Sequence, residues 1–295
     1  MQLVIFCIAY PILWLISKLP FPVLYLVSDV VYVILYRIVG YRKKVVYSNL
    51  QIAFPQKTHQ ELKLIEKEFY HYLCDMFLEM IKTLTISEQQ ISKRFKFTNV
   101  EVIQKAEQEK SIMLMFPHYA SYEWIIILDK YIASKGYAVY QKIDNRYFNN
   151  LVVKIRQRFG LSLVDTKNTI REVTKNKVNG VKAIYGILSD QSPSVSQTHY
   201  WRPFFNVTVP MHTGAEVLAK RLDLSVMYLE VKRVKRGYYE ASFEMIAEDP
   251  KKYKDYRITD MFIEKVEQQI NEAPPYYLWT HKRWKHRNKV PKEWQ

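Results

Sequence analysis

Ile112-Met113-Leu114-Met115-Phe116-Pro117-His118-Tyr119-Ala120-Ser121-Tyr122-Glu123-Trp124 is the stretch on which the fold turns. Its first five residues are apolar without interruption and read as a buried strand. From Ser121 to about Ser134 the pattern becomes that of a helix. A histidine therefore stands just past a strand, and a carboxylate lies in the first turn of the next helix.

Downstream, short segments keep alternating in type. Tyr137 to Gln141 reads as a strand, followed by a helix through Phe148, Val152, Ile155 and Phe159. Leu161 to Val164 is strand-like, Asn168 to Lys175 a short helix, and Ala183 to Leu188 a strand. Pro210 to Arg221 reads as a helix. Leu224 to Lys232 and Tyr239 to Met245 form an expected hairpin turned at Arg236-Gly237. Ile258 to Ile270 is an amphipathic helix. Upstream, Thr58 to about Leu84 is helical, with Leu62, Leu64, Ile65, Phe69, Leu73, Phe77, Met80 and Ile81 at spacings of three and four. Such alternation predicts an α/β fold: a mostly parallel central sheet flanked by helices. Sites in these sheets gather at the carboxyl ends of strands, which directs attention to the residues just past Phe116 and Leu188.

The N-terminus differs in character. Residues 1–17 carry no charge, and after Lys18 a second apolar run extends from Leu19 to Tyr36, broken only by Asp29. Pro11, Pro20 and Pro22 divide the region, and Arg37, Arg42, Lys43 and Lys44 close it. It lacks the basic start and small-residue cleavage site of a secretory signal, so no cleavage is expected. Residues 1–44 are read as a membrane-associating apolar helical segment and 45–295 as the domain that carries the chemistry. One spanning helix, a re-entrant hairpin, two interfacial helices and core helices of a soluble protein all fit the pattern. The flanking basic residues favour the cytoplasmic side.

Composition narrows the partners. The 295 residues carry a net charge of +15 and are 48% hydrophobic. That charge favours anionic partners: acidic lipid headgroups, an acidic carrier protein or nucleic acid. No nucleic-acid fold signature accompanies it, so nucleic acid is not expected. Phosphate-loop, dinucleotide and metalloprotease motifs are absent, as is a Gly-x-Ser-x-Gly elbow. Cys7 and Cys74 alone build neither a disulfide framework nor a zinc site, and no metal is expected.

Within one regular helix, five residues are about 500° of rotation, so His118 and Glu123 would not share a face. Across the strand–loop–helix corner, the loop can fold His118 back until one ring nitrogen meets the Glu123 carboxylate. That carboxylate would fix the tautomer and leave the other nitrogen free to take a proton from a substrate hydroxyl. A structural histidine and a Glu that only complements the helix dipole read equally well from spacing. Asp190 follows the second strand end and is either a substrate contact or a turn cap, with Gln191 beside it. Lys282, Arg283, Lys285, Arg287, Lys289 and Lys292 form a basic tail interleaved with Trp284. It reads as a headgroup or carrier contact, or as a solvated terminus. His281 is a second titratable group or a packed one.

Several segments together resemble a family. Pro-His-Tyr-Ala-Ser-Tyr-Glu-Trp (117–124) is similar to the His-x4-Asp/Glu motif of the bacterial lipid A late acyltransferases, a branch of the lysophospholipid acyltransferase superfamily. Asn49-Leu50-Gln51-Ile52-Ala53-Phe54-Pro55, Tyr140 with Asp144-Asn145, and Asp190-Gln191 resemble further family segments. Pro203-Phe204-Phe205, Thr213-Gly214 and Trp279-Thr280-His281-Lys282-Arg283-Trp284-Lys285 continue the series in order. The resemblance implies transfer of a fatty acyl chain from acyl carrier protein to a hydroxyl of a lipid A precursor at the inner membrane, with no cofactor. It makes His118 the general base and Glu123 its partner. The alternative is the same chemistry on another acceptor, such as an amino-acid lipid, a glycolipid or a lysophospholipid. From a different class, a non-catalytic basic membrane-binding protein would leave His118 and Glu123 without a role.

Gln141 replaces the family's arginine, so Lys142, Arg146 or Arg171 is expected to substitute as a substrate-binding cation. Asn206 replaces a glycine and tolerates positive φ. Ala120 replaces another, at little cost if φ there is negative.

Overall fold

The computed structural model describes residues 2–294. The chain opens with α1 (Gln2–Lys18) and α2 (Phe21–Tyr32), separated where Pro20 and Pro22 stand. Proline fits the first turn of a helix, where its missing N–H leaves no partner unmet, so the second helix restarts there; Pro11, expected to divide the first run, lies inside α1 without ending it. A π-helical stretch, Val33–Val39, continues α2 and stops at Gly40, whose φ of 64° is the left-handed terminator. α3 (Lys43–Ala53) and α4 (His59–Lys82) follow. α4 starts on a capping box between Thr58 and Glu61 and buries Leu62, Ile65, Phe69, Leu73 and Met76 along one stripe. Leu64 and Phe77, part of the same sequence periodicity, are exposed.

Next come α5 (Glu88–Arg94), β1 (Phe95–Phe97), α6 (Val100–Glu109) and β2 (Ile112–Phe116). A 3-10 helix (Tyr122–Lys130) leads to β3 (Lys135–Tyr140), α7 (Arg146–Arg156), β4 (Ser162–Asp165), α8 (Thr169–Val178) and β5 (Ala183–Leu188). The chain closes with β6 (Trp201–Phe204), β7 (Val207–Pro210), α9 (Gly214–Leu222), β8 (Ser225–Lys235), β9 (Tyr238–Ala247) and α10 (Arg257–Glu272).

Seven strands form one sheet in the order β1-β9-β8-β2-β5-β3-β4, and β6 and β7 form a separate ribbon. All pairings in the large sheet are parallel except β8 with β9. This is the expected α/β architecture. β2 lies in the middle, paired to β5 and β8, and all five of its residues are buried. A strand in that position needs apolar side chains on both faces, which is why its sequence does not alternate.

The structure departs from the sequence reading at two elements. Pro210 belongs to β7, and the helix expected from there begins only at Gly214. The β6–β7 ribbon turns on Phe205 and Asn206, both at positive φ (48° and 61°), so Asn206 does occupy the left-handed region foreseen for it. The helix after Ser121 is a 3-10 helix and ends at Lys130.

The N-terminal helices lie against the domain. α2 buries Phe21, Leu24, Ser28 and Tyr32, and α2 packs on α4. Asp29 pairs with Arg236 at 2.6 Å, and the same guanidinium meets Asp75 of α4 at 2.7 Å. Arg236 is in the β8–β9 turn, where Gly237 has φ +72° and a Cβ would collide with the Tyr25 hydroxyl. Turn geometry and the approach of α2 both require glycine there. The opposite face leaves Val4, Ile8, Leu15, Leu26, Val30, Ile38 and Val39 exposed. The helical run Phe21–Val39 is long and apolar enough to cross a membrane.

Candidate active site

His118 sits two residues past the end of β2, in a loop held from both sides. The Leu278 N–H donates to the His118 carbonyl at 3.1 Å, and the Ala120 N–H donates to the Tyr276 carbonyl at 2.9 Å. The Tyr72 hydroxyl of α4 donates to the Ala120 carbonyl at 2.8 Å. Ala120 has φ +47°, so the condition for a cheap exchange of glycine, a negative φ, is not met. A non-glycine residue in that region costs about 1–2 kcal/mol, and these hydrogen bonds hold it there.

The partner of His118 is Asp190, which follows β5 by two residues. His118 Nδ1 lies 2.7 Å from Asp190 Oδ1, and Asp190 is buried. An N–H at Nδ1 donating to the carboxylate leaves Nε2 as the free base, with the Gln191 amide 3.4 Å away. Burial pushes the Asp190 carboxyl up, but the His118 charge and hydrogen bond, with backbone donors, outweigh it and hold the group below its ordinary value.

Glu123 faces elsewhere. Its two oxygens accept from Arg156 Nε at 3.0 Å and Nη2 at 2.5 Å, a bidentate pair across to α7. The expected His118–Glu123 hydrogen bond is therefore replaced by His118–Asp190 and Glu123–Arg156. Tyr122 opens the 3-10 helix and sets its ring edge-on to His118, centroids 5.1 Å apart. The next residue of a 3-10 helix is turned by about 120°, which carries Glu123 past the imidazole toward α7.

These groups stand at one end of a cavity of about 590 Å³ between the sheet and the 3-10 helix. Its wall includes His118, Glu123, Arg156, Gln191 and His212 at one end and Asp129 and Gly136 at the other. Leu188 pairs with Phe116 at the carboxyl edge, Gly186 with Leu114 and Ala138 in the middle, and Ile184 with Ile112 and Gly136 at the amino edge. The four steps from Ile184 to Leu188 extend about 13 Å at strand rise, and the His118 loop lies beyond them. Small side chains at Gly186 and Ala138 keep the floor open. At the far end the Gly136 N–H donates to Asp129, whose carboxyl burial pushes up.

Gln141 lines the cavity wall, but Lys142, Arg146 and Arg171 are exposed and contribute nothing to it. The cation that the fold brings to the site is Arg156. Its signal in the sequence was its place one turn after Val152, which lines the same cavity. His212 also went unremarked; burial, then the Arg283 charge, push it down to about 4, so it is neutral. His281 packs: its Nε2 accepts from the Ser192 N–H at 3.1 Å. Among the described residues, no group of three His, Cys, Asp or Glu is placed to hold a metal.

Residues 2–286 match the family model described as bacterial lipid A biosynthesis acyltransferase. The chain is similar to the lipid A biosynthesis lauroyltransferase of Escherichia coli (strain K12), at 24% identity over 94% of this chain and 90% of that protein. It is also similar to the lipid A biosynthesis palmitoleoyltransferase of the same organism and to a lipid A biosynthesis acyltransferase of Shigella flexneri. Both are 23% identical over 94% of this chain and 89% of theirs.

Proposed function

The chain belongs to the bacterial lipid A biosynthesis acyltransferase family and is an acyltransferase, and from that premise we propose that it moves a fatty acyl chain from acyl carrier protein to a hydroxyl of a lipid A precursor, as a late acylation. One observation carries the reading: a His–carboxylate pair at 2.7 Å stands at one end of a long, largely apolar cavity. The cavity suits the acyl chain, and the pair suits proton transfer at the thioester it would present.

In this mechanism the acceptor hydroxyl hydrogen-bonds to His118 Nε2. As its oxygen attacks the thioester carbonyl, the proton passes to Nε2, and Asp190 stabilises the imidazolium through Nδ1–H. The tetrahedral oxyanion forms near Arg156, whose charge offsets it while Glu123 fixes the guanidinium in place. Collapse breaks the C–S bond, and the imidazolium returns the proton to the departing thiolate. Glu123 thus acts as a positioning residue. The expected placement is the inner membrane, with the catalytic domain on the cytoplasmic face, supported by the basic residues that close the apolar segment and by the free thiol of Cys74.

Purified protein incubated with acyl carrier protein thioesters and either a lipid A precursor or lysolipids tests this by mass spectrometry. Gain of one acyl chain by the lipid A precursor is expected. Acylation of lysolipids alone would move the chemistry to another acceptor.

A further inference from the structure

A second cavity, of about 250 Å³, lies between α3 and the C-terminal segment and is lined by Lys44, Ser48, Asn49, Lys282, Lys285 and Arg287, with Val45 and Trp284 completing the wall. Four cations line this space, and no carboxylate among the described residues does. Several other lysines are neutralised in place: Lys63, Lys110, Lys130, Lys220, Lys232 and Lys265 each lie on a carboxylate. The backbone on its two sides is tied together. The Asn49 amide donates to the Trp279 and His281 carbonyls at 2.8 Å each, and Arg42 donates to the Thr280 carbonyl at 3.1 Å. Like charges held together cost free energy, and an unneutralised concave cluster is satisfied by an anion.

We infer that this cavity binds the phosphomonoester of an anionic lipid. Its place in the chain selects a lipid over a soluble anion or a protein. Ile38 and Val39, 75% and 63% exposed, end the apolar helical run five residues before Lys44. Where that apolar face enters a bilayer, the cavity stands at headgroup level. An acidic protein surface would meet a broad basic face, whereas these cations surround a pocket. From the cavity the C-terminal segment runs to the catalytic loop, because Leu278 holds the His118 carbonyl. A phosphate bound here would orient the rest of its lipid toward His118. The inference deepens the reading of the acceptor as a lipid A precursor, and as an account of productive binding it rests on that reading.

The test is vesicle flotation with the full chain. Vesicles are neutral phosphatidylcholine alone, or phosphatidylcholine with either phosphatidic acid, a monoester, or phosphatidylglycerol, a diester, at matched surface charge. The protein should prefer the monoester vesicles. Lys282→Ala with Lys285→Ala should weaken that binding at least about tenfold. Lys175→Ala with Lys177→Ala, an equal charge loss at exposed positions of α8, should leave the preference intact. Equal weakening by both pairs would reduce the effect to overall charge and overturn the inference. Abolition of the preference by millimolar inorganic phosphate would assign the site to free phosphate. Loss of acyl carrier protein capture with vesicle preference unchanged would assign it to a protein. If the lipid A precursor gains no acyl chain while the monoester preference holds, the acceptor reading fails and the phosphate site stands.

Discussion

Two carboxylates near one histidine have different jobs, and substitution separates them. Asn at 190 presents an amide where Nδ1–H now meets an oxygen, which favours the wrong tautomer and removes the charge that stabilises the imidazolium. Asp190→Asn should lower kcat about a hundred- to ten-thousand-fold, with little change in KM. Steady-state kinetics retaining more than a tenth of kcat would remove Asp190 from the proton path. Glu123→Gln leaves His118 and Asp190 untouched and instead strands Arg156. Because Arg156 is a quarter exposed, the loss of stability should be smaller than for a fully buried pair, about 2 kcal/mol. Arg156→Gln in the same chain should recover part of it, with a coupling of about 1–3 kcal/mol by denaturation. Strict additivity would show that the two side chains do not support each other. Activity in Glu123→Gln should fall less than in Asp190→Asn, the opposite of the order that the His-x4-Glu spacing implies.

At the scale of elements, the cavity is a property of register. Gly186 lies in β5 beside Leu114 and Ala138, halfway along the groove, and a Cβ there would come 3.3 Å from the Phe116 ring. Gly186→Val should therefore shorten the space for the acyl chain without touching His118. Donors of increasing chain length, compared by kcat/KM, should show the long ones losing more than the short ones; a uniform fall would place the chain elsewhere. Most of this frame could be read from one dimension. The uninterrupted run Ile112–Phe116, the strand Ala183–Leu188 and the Arg236-Gly237 turn were legible because continuous apolarity and a turn glycine are local signals. β1 and the β6–β7 ribbon were not, since strands of three and four residues carry no period. The strand-end rule singled out both His118 and Asp190, but not their direct contact: 72 residues separate the two, and only the parallel pairing of β2 with β5 brings their carboxyl ends together. Spacing names neighbours along the chain, whereas this site is built from neighbours across the sheet.

For the whole molecule, the question is how an apolar N-terminal segment stays joined to the domain that carries the site. The junction is polar. Glu79 of α4 is buried and accepts from Tyr25 of α2 at 2.8 Å and from Tyr239 of β9 at 2.8 Å, while its own carbonyl accepts from Trp124 of the 3-10 helix. One carboxyl thus ties the N-terminal segment to the sheet, beside the helix that roofs the cavity. Burial pushes its pKa from an ordinary 4.5 to about 7, against the lowering effect of the tyrosine hydrogen bonds. The folded state then holds a proton that the unfolded chain releases near 4.5. Stability from this group is fully present below that pH and is lost as pH rises through about 7. The shift corresponds to about 3 kcal/mol at 1.36 kcal/mol per unit. Glu79→Gln keeps the shape and stays neutral at every pH, so it lacks that loss. Relative to the parent chain, the variant should gain most of that difference, about 2–3 kcal/mol, between pH 5 and pH 8. Urea denaturation of both chains at the two pH values reads the difference directly, because every other titrating group is common to both and cancels. Parallel pH profiles would mean that Glu79 is ionised in the fold and that Arg236, with its hold on Asp29 and Asp75, carries the junction by itself.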